Sequence, residues 1–249
     1  FADSESLSEV VLLSTGEINI DNSAFDNTPW ANRQKDEIVY INSVAFRYLG
    51  NDKPQHIKIK EGTTAIASHF MSDNDELISV ELPNSLNIIS NSAFENCTKL
   101  SEIKFPNNIS AINDRAFANC KKLRSIELSG NITTIGESAF EGCSAIDSVV
   151  INKAYVKIGN SAFKGCSRMQ YAKLGDNVES IGEQAFAKCD NLADVYCLAT
   201  DVPTTRDVWG DYCNPFEGSY PEYMTLHVPA EAINSYKTTA HWSSFGNIV

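Results

Sequence analysis

The sequence predicts an α/β repeat solenoid: stacked coils with a parallel β-sheet of short strands on one face, short helical or 3-10 turns on the other, and a cap at each end. Three observations carry this. Phe94, Phe117, Phe140, Phe163 and Phe186 stand 23 residues apart, each just after an Ala. Three residues beyond each Phe comes a Cys (Cys97, Cys120, Cys143, Cys166, Cys189), and five before it an Ile (Ile89, Ile112, Ile135, Ile158, Ile181). Two further apolar columns keep the same interval, one running Ile57, Val80, Ile103, Ile126, Val149, Ala172, Val195 and the other starting at Ile59 and Leu82. A period of this length marks units that cannot bury an apolar side alone and do so by stacking.

The bulk properties agree. Of 249 residues 43% are apolar and 21% charged, enough for a core and too apolar for a disordered chain. A net charge of −12 argues against nucleic acid as a partner, because phosphate contacts need surplus Lys and Arg. No run reaches the ~18 apolar residues of a membrane span. The charge is uneven: residues 1–50 hold eight acids against three bases, residues 51–189 sixteen against fifteen, and residues 190–249 eight against two. The acids thus gather at the ends, where like-charge repulsion and polar outer faces oppose end-to-end stacking.

From the front, residues 1–50 read as a cap with a hairpin, Val39–Ile41 against Ala45–Tyr48, which interrupts the repeat. Residues 51–198 are the repeats. Val80 and Leu82 flank Glu81 in the alternation of a short strand with one buried face, and Pro83 and Pro106 follow their strands and end them. Seven such strands would make one parallel sheet about 30 Å wide. Ser92–Cys97 has the length of a helical or 3-10 turn, and Gly136, Gly159 and Gly182 ease the chain round a corner. Residues 199–249 are the second cap, with Thr225–Val228 as the last strand and a helix opened by Pro229 and running to about Lys237. All three parts form one continuous structural domain.

Seven cysteines is an odd number, and the equal spacing of five makes them small buried apolar residues of a repeated unit. Neither a disulfide framework nor a zinc site has that spacing. Cys197 and Cys213 lie outside the ladder and could pair.

The pattern I-x-x-x-A-F-x-x-C-x-x-L-x-x-[IV]-x-[IL] resembles the BspA-like, or Treponema pallidum-type, leucine-rich-repeat family. The match is close over Ile89–Cys189 and looser over Ile57–Asp73, where His69-Phe70-Met71-Ser72-Asp73 stands in for Ala-Phe-x-x-Cys. Asn22–Trp30 and Val39–Gly50 at the front, and Leu226–Lys237 with Trp242–Phe245 at the back, are similar to parts of surface proteins of this family from gut Bacteroidetes. The resemblance implies a right-handed leucine-rich-repeat coil. It also implies an exported bacterial protein, secreted or at the cell surface, that serves adhesion or protein–protein recognition of host or extracellular-matrix proteins. A chain opening at Phe1 with no apolar leader fits an export signal already removed.

Signatures of catalysis are missing: there is no G-x-G-x-x-G, Walker loop, G-x-S-x-G or H-E-x-x-H. The expectation is a monomer that is not an enzyme and carries no cofactor and no metal. The four histidines are scattered, with His69 read as a partly buried structural residue, and Asp73, Asp75 and Glu76 as a solvated acidic turn. One side chain per strand should face outward: Lys58, Glu81, Lys104, Glu127, Val150, Lys173 and Tyr196. The first four alternate in sign and neutralise one another. Val150, Tyr171, Lys173, Tyr196 and Leu198 should instead gather into a semi-apolar patch of the kind partners use. The competing reading is that the segment 201–223 folds back over that patch. Two rival functions remain. A glycan-binding accessory protein of a surface carbohydrate-uptake system would use Trp30, Trp209 and Trp242 as sugar platforms. A glycoside hydrolase would use paired carboxylates among Asp207, Asp211 and Glu217.

Overall fold

The computed structural model describes residues 1–13, 23–128, 131–152, 155–205 and 213–249. The chain opens with one helical turn, α1 (Pro29–Asn32), whose Thr28 cap accepts from the Ala31 amide at 3.1 Å. The antiparallel hairpin β1 (Ile38–Ile41) and β2 (Val44–Tyr48) follows. Each later coil gives two strands: β3 (His56–Lys58) and β4 (Ala65–Ile66), β5 (Ser79–Glu81) and β6 (Ile88–Ile89), β7 (Glu102–Ile103) and β8 (Ala111–Ile112), β9 (Ser125–Leu128) and β10 (Thr134–Ile135), β11 (Ser148–Ile151) and β12 (Val156–Ile158), β13 (Tyr171–Leu174) and β14 (Val178–Ile181). The chain ends with β15 (Asp194–Cys197), β16 (Thr225–His227), the helix α2 (Ile233–Thr238) and β17 (Asn247–Ile248).

The fold is a parallel β-solenoid, as the repeat predicts, but with two sheets per coil where the sequence reading placed one. The even-numbered strands β4 to β14 form a rear sheet whose first rungs are β1 and β2. The hairpin therefore founds that sheet instead of interrupting the repeat. The front sheet holds the columns of Val80 and Leu82. It is not the single seven-stranded sheet expected: β3, β5 and β7 form one piece, and β9, β11, β13, β15, β16 and β17 another. The gap falls beside Phe105, a ring set edge-on to Phe117 and Phe140 (centroids 5.5 and 6.3 Å).

The third wall is neither helix nor 3-10. The amides of Ser92, Phe94 and Asn96 donate to Asp114, Ala116 and Ala118 of the next coil at 2.8–2.9 Å, while those of Ala93, Glu95 and Cys97 donate back three residues. Half of the donors are spent between coils, so no continuous helical ladder can form. The chain achieves this by placing two residues per coil in the left-handed region, such as Ser92 (φ 53°) and Asn96 (φ 59°). Gly142 (φ 71°) fills the second of these positions in a later coil. Gly159 is different: it is needed for space, since a Cβ there would lie 2.7 Å from the Glu137 nitrogen of the preceding coil.

The core is a column of rings. From Phe94 to Phe186 successive phenyl groups stack at 5.3–5.4 Å and within 11° of parallel, all fully buried. Phe216 continues the column on Phe186 at 5.7 Å, although it lies 30 residues further on. At the front end Met71, not Phe70, holds the Phe position: its amide bonds Ala93 as that of Phe94 bonds Ala116, and its carbonyl receives the Cys97 thiol as that of Phe94 receives Cys120. Phe70 shifts into the Ala place, edge-on to Phe94 at 6.1 Å.

The back end is an irregular extra coil with a plug. Thr204 bridges Ser180, the Gln184, Phe186 and Lys188 amides bond Asn214, Pro215 and Glu217, and β16 pairs with β15. Tyr236 and Trp242, both fully buried, then seal the core. Thr225–His227 is not the last strand, because β17 pairs beyond it. None of the seven cysteines forms a disulfide, and the Cys197 thiol instead accepts the Tyr236 hydroxyl at 3.2 Å. The pairing of Cys197 with Cys213 is thus not made.

Candidate functional site

On β13 the buried positions go to Ala172 and Leu174, so Tyr171 and Lys173 face out. On β15, Val195 and Cys197 are buried and Asp194 and Tyr196 sit at the surface, and on β16 Leu226 is buried and His227 half-buried. Parallel register lines these residues up across the front sheet. One row runs Glu127, Val150, Lys173, Tyr196, His227, and the next runs Ser125, Ser148, Tyr171, Asp194, Thr225.

The rows meet in a small built feature. The Tyr196 and His227 rings stack at 4.2 Å and 8°, and His227 Nε2 lies 2.8 Å from Asp194 Oδ1, which fixes the imidazole. Tyr171, Lys173, Asp194 and Tyr196 line a shallow hollow of about 310 Å³. Tyr171 and Leu198 are each 39% exposed. The structure thus brings together Tyr171, Lys173 and Tyr196 of the sequence-derived patch. Val150 is half-buried one strand away, and Leu198 lies just past the end of β15 with its amide on the Leu174 carbonyl. Asp194 and His227 were missed. His227 stands outside the 23-residue period, and the only signal for it was the alternation Thr225-Leu226-His227. The described part of segment 201–223 does not cover the patch, because it extends the rear sheet and the turn wall.

The other candidates are placed as follows. Lys58 and Glu81 form an ion pair at 2.5 Å across β3 and β5, while Lys104 and Glu127 fall on either side of the gap in the front sheet. Asp75 pairs with Lys53 and Glu76 with Lys99, both at 2.7 Å, and Asp73 accepts the Asn96 amide at 2.8 Å. His69 is exposed at a left-handed position (φ 56°), not the partly buried structural histidine expected, because the one-residue shift moved Phe70 inward. Trp30 and Trp242 are core residues of the two caps, and Trp209, Asp207 and Asp211 lie outside the described residues. Glu217 accepts the Gln184 side-chain amide at 2.6 Å. Among the described residues no group of His, Cys, Asp and Glu is placed to hold a metal ion, and no helix is long and apolar enough to cross a membrane.

Coils of 23 residues that share a parallel front sheet and a Phe–Cys turn wall define a leucine-rich-repeat solenoid. The chain belongs to the BspA type leucine rich repeat region family, whose model matches residues 1–98 and 64–193 in 6 copies. It is similar to the crystal structure of a Treponema pallidum leucine-rich-repeat protein (TM-score 0.57, 28% identity, 61% of this chain and 72% of that one). A fold likeness extends to the pneumococcal vaccine antigen PcpA (TM-score 0.50, 19% identity), covering 84% of this chain and 44% of that one. A leucine-rich-repeat protein from Bacteroides ovatus aligns over 86% of this chain and 75% of its own, at 16% identity and a TM-score of 0.45. No curated protein matches the chain.

Proposed function

We propose that this is a non-catalytic recognition protein, exported to the cell surface or secreted, which binds a protein partner of host or matrix origin through the front sheet at Tyr171, Lys173, Asp194, Tyr196 and His227. The observation that carries the reading is the Tyr196–His227 stack, locked by Asp194 beside an open hollow. Aromatic groups already immobilised on a rigid sheet lose little entropy when a partner lands on them, and Tyr is enriched where interfaces concentrate their energy. Lys173 and Asp194 add one charge of each sign, which favours a mixed polar and apolar protein surface. Membership in a leucine-rich-repeat family supports protein recognition as the role. A glycan platform loses support because Trp30 and Trp242 are packed inside the caps.

The test is a pull-down on immobilised host matrix proteins with the wild type and with Tyr171→Ala/Tyr196→Ala. Capture by the wild type and at least about a tenfold loss in the double variant is expected, the scale of truncating two interface aromatics. Undiminished capture by the variant would refute the surface, and hydrolysis of an offered protein or glycan would refute the non-catalytic reading.

A further inference from the structure

The coil corners that lead into β9, β11 and β13 carry a feature of opposite character to the whole molecule. Two residues after each column cysteine stand Lys99, Lys122, Ala145, Arg168 and Asn191. Lys99 is neutralised by Glu76, while Lys122 and Arg168 make no ion pair among the described residues. Ala145 between them leaves a notch. Lys121, Lys122, Arg124 and Arg168 surround it, with Ser144, Ala145 and Asp147 completing a pocket of about 340 Å³. The one acid, Asp147, accepts the Ser148 hydroxyl at 3.1 Å and keeps its charge, so the lining stays positive by three. Four exposed cations thus line one hollow in a protein of net charge −12.

Holding this excess of positive charge together costs energy that an anion would relieve. Lys122 and Arg168 sit two coils apart, about 10 Å at the spacing of parallel strands. An oxyanion seated over Ala145 would lie between them, within reach of the Ser144 hydroxyl and of Lys121 and Arg124 at the side. Arg guanidinium forks and Lys ammonium groups pair with carboxylate and phosphate oxygens, and a sulfate ester presents the same tetrahedral set of oxygens with a single negative charge. The pocket offers no aromatic ring and only one methyl group, so it lacks the apolar anchors by which peptides are held. We infer that the corner notch between Lys122 and Arg168 binds a sulfated polysaccharide, one sulfate entering over Ala145 and neighbouring ones meeting Lys121 and Arg124. This site is separate from the Tyr196 surface and does not rest on the protein-binding reading.

The experiment measures binding of dextran sulfate, neutral dextran, poly-glutamate and duplex DNA to the intact chain at rising salt. The variants are Lys122→Ala/Arg168→Ala, which removes the flanking charges, and Ala145→Glu, which fills the notch with a negative one. All three positions are at or near the surface, and unchanged melting temperatures show that the fold is kept. The expected result is salt-sensitive binding of dextran sulfate with none of neutral dextran, weakened about tenfold or more by either variant, as loss of charge-assisted contacts requires. No binding of dextran sulfate, or binding that both variants leave intact, overturns the site. Equal or tighter binding of poly-glutamate or DNA overturns the assignment to a sulfated glycan.

Discussion

The column cysteines are fixed by two demands on one small side chain. Each is buried, and each thiol donates to the carbonyl of the Phe position one coil back, as Cys143 does to Phe117 at 3.1 Å. Alanine would leave the sulfur's space empty and take that donor away. Burial pushes the thiols of Cys97, Cys143 and Cys189 up to about 12 and raises Cys120 and Cys166 well above the ordinary range. They are therefore poor nucleophiles in the native state. Because the unfolded thiol ionises near 8.5, stability is complete below that pH and falls as pH rises toward 12. Each thiol removes about 1.4 kcal/mol per pH unit in that window. The five contributions fall together, so stability should drop steeply once the pH passes the ordinary thiol range, while alkylation of these five thiols in the native protein at pH 8 stays negligible. Urea midpoints between pH 8 and 11 check this. A flat profile, or one left unchanged by Cys143→Ala together with Cys166→Ala, would contradict it.

At the scale of single elements the turn wall was the least legible part of the sequence. The columns of Phe and Cys announced a buried spine, and the stacked rings are there. The backbone beneath them suggests a helical or 3-10 turn from its length alone, because its bonds between coils have no sequence signature. The rear strands are hidden in the sequence for a related reason: Ala111–Ile112 is too short to display an alternation of period 2, and only Ile112 belongs to a repeated column. Likewise the site's two tyrosines followed from strand alternation, whereas His227 needed the register of a strand that comes after an irregular insertion. The left-handed positions carry a testable cost. Lys188 (φ 55°) is exposed at the place that Gly142 and Gly165 occupy in earlier coils. An L-residue there costs about 1–2 kcal/mol, partly offset by the entropy that glycine loses, so Lys188→Gly should stabilise by about 0.5–1 kcal/mol. Thermal melting should show a rise of about 1–3 °C, and a fall would mean that the Lys188 stem packs against the last coil.

For the whole molecule, stability is the sum of what each coil contributes and what each junction between neighbours adds. The junctions are not equal. Between most coils the rear sheet, the turn wall, the ring column and the front sheet all cross. Between the coil of β7 and that of β9 the front sheet stops, leaving the rear sheet, the turn wall and the rings. Phe117 is central there, stacked on Phe94 and Phe140 and met edge-on by Phe105. Phe163 sits equally deep, but in a region where both sheets are continuous. Either Phe→Ala change removes about 3–5 kcal/mol locally, yet the consequences should differ. Phe163→Ala should lower a single cooperative transition, because both sheets and the turn wall still couple its neighbours. Phe117→Ala should divide the molecule, so that the coils before and after it lose hydrogen-exchange protection at different urea concentrations. Exchange measured across urea on both variants decides the matter. One shared midpoint for the two halves of Phe117→Ala would show that the rear sheet and the turn wall suffice to transmit cooperativity through the gap.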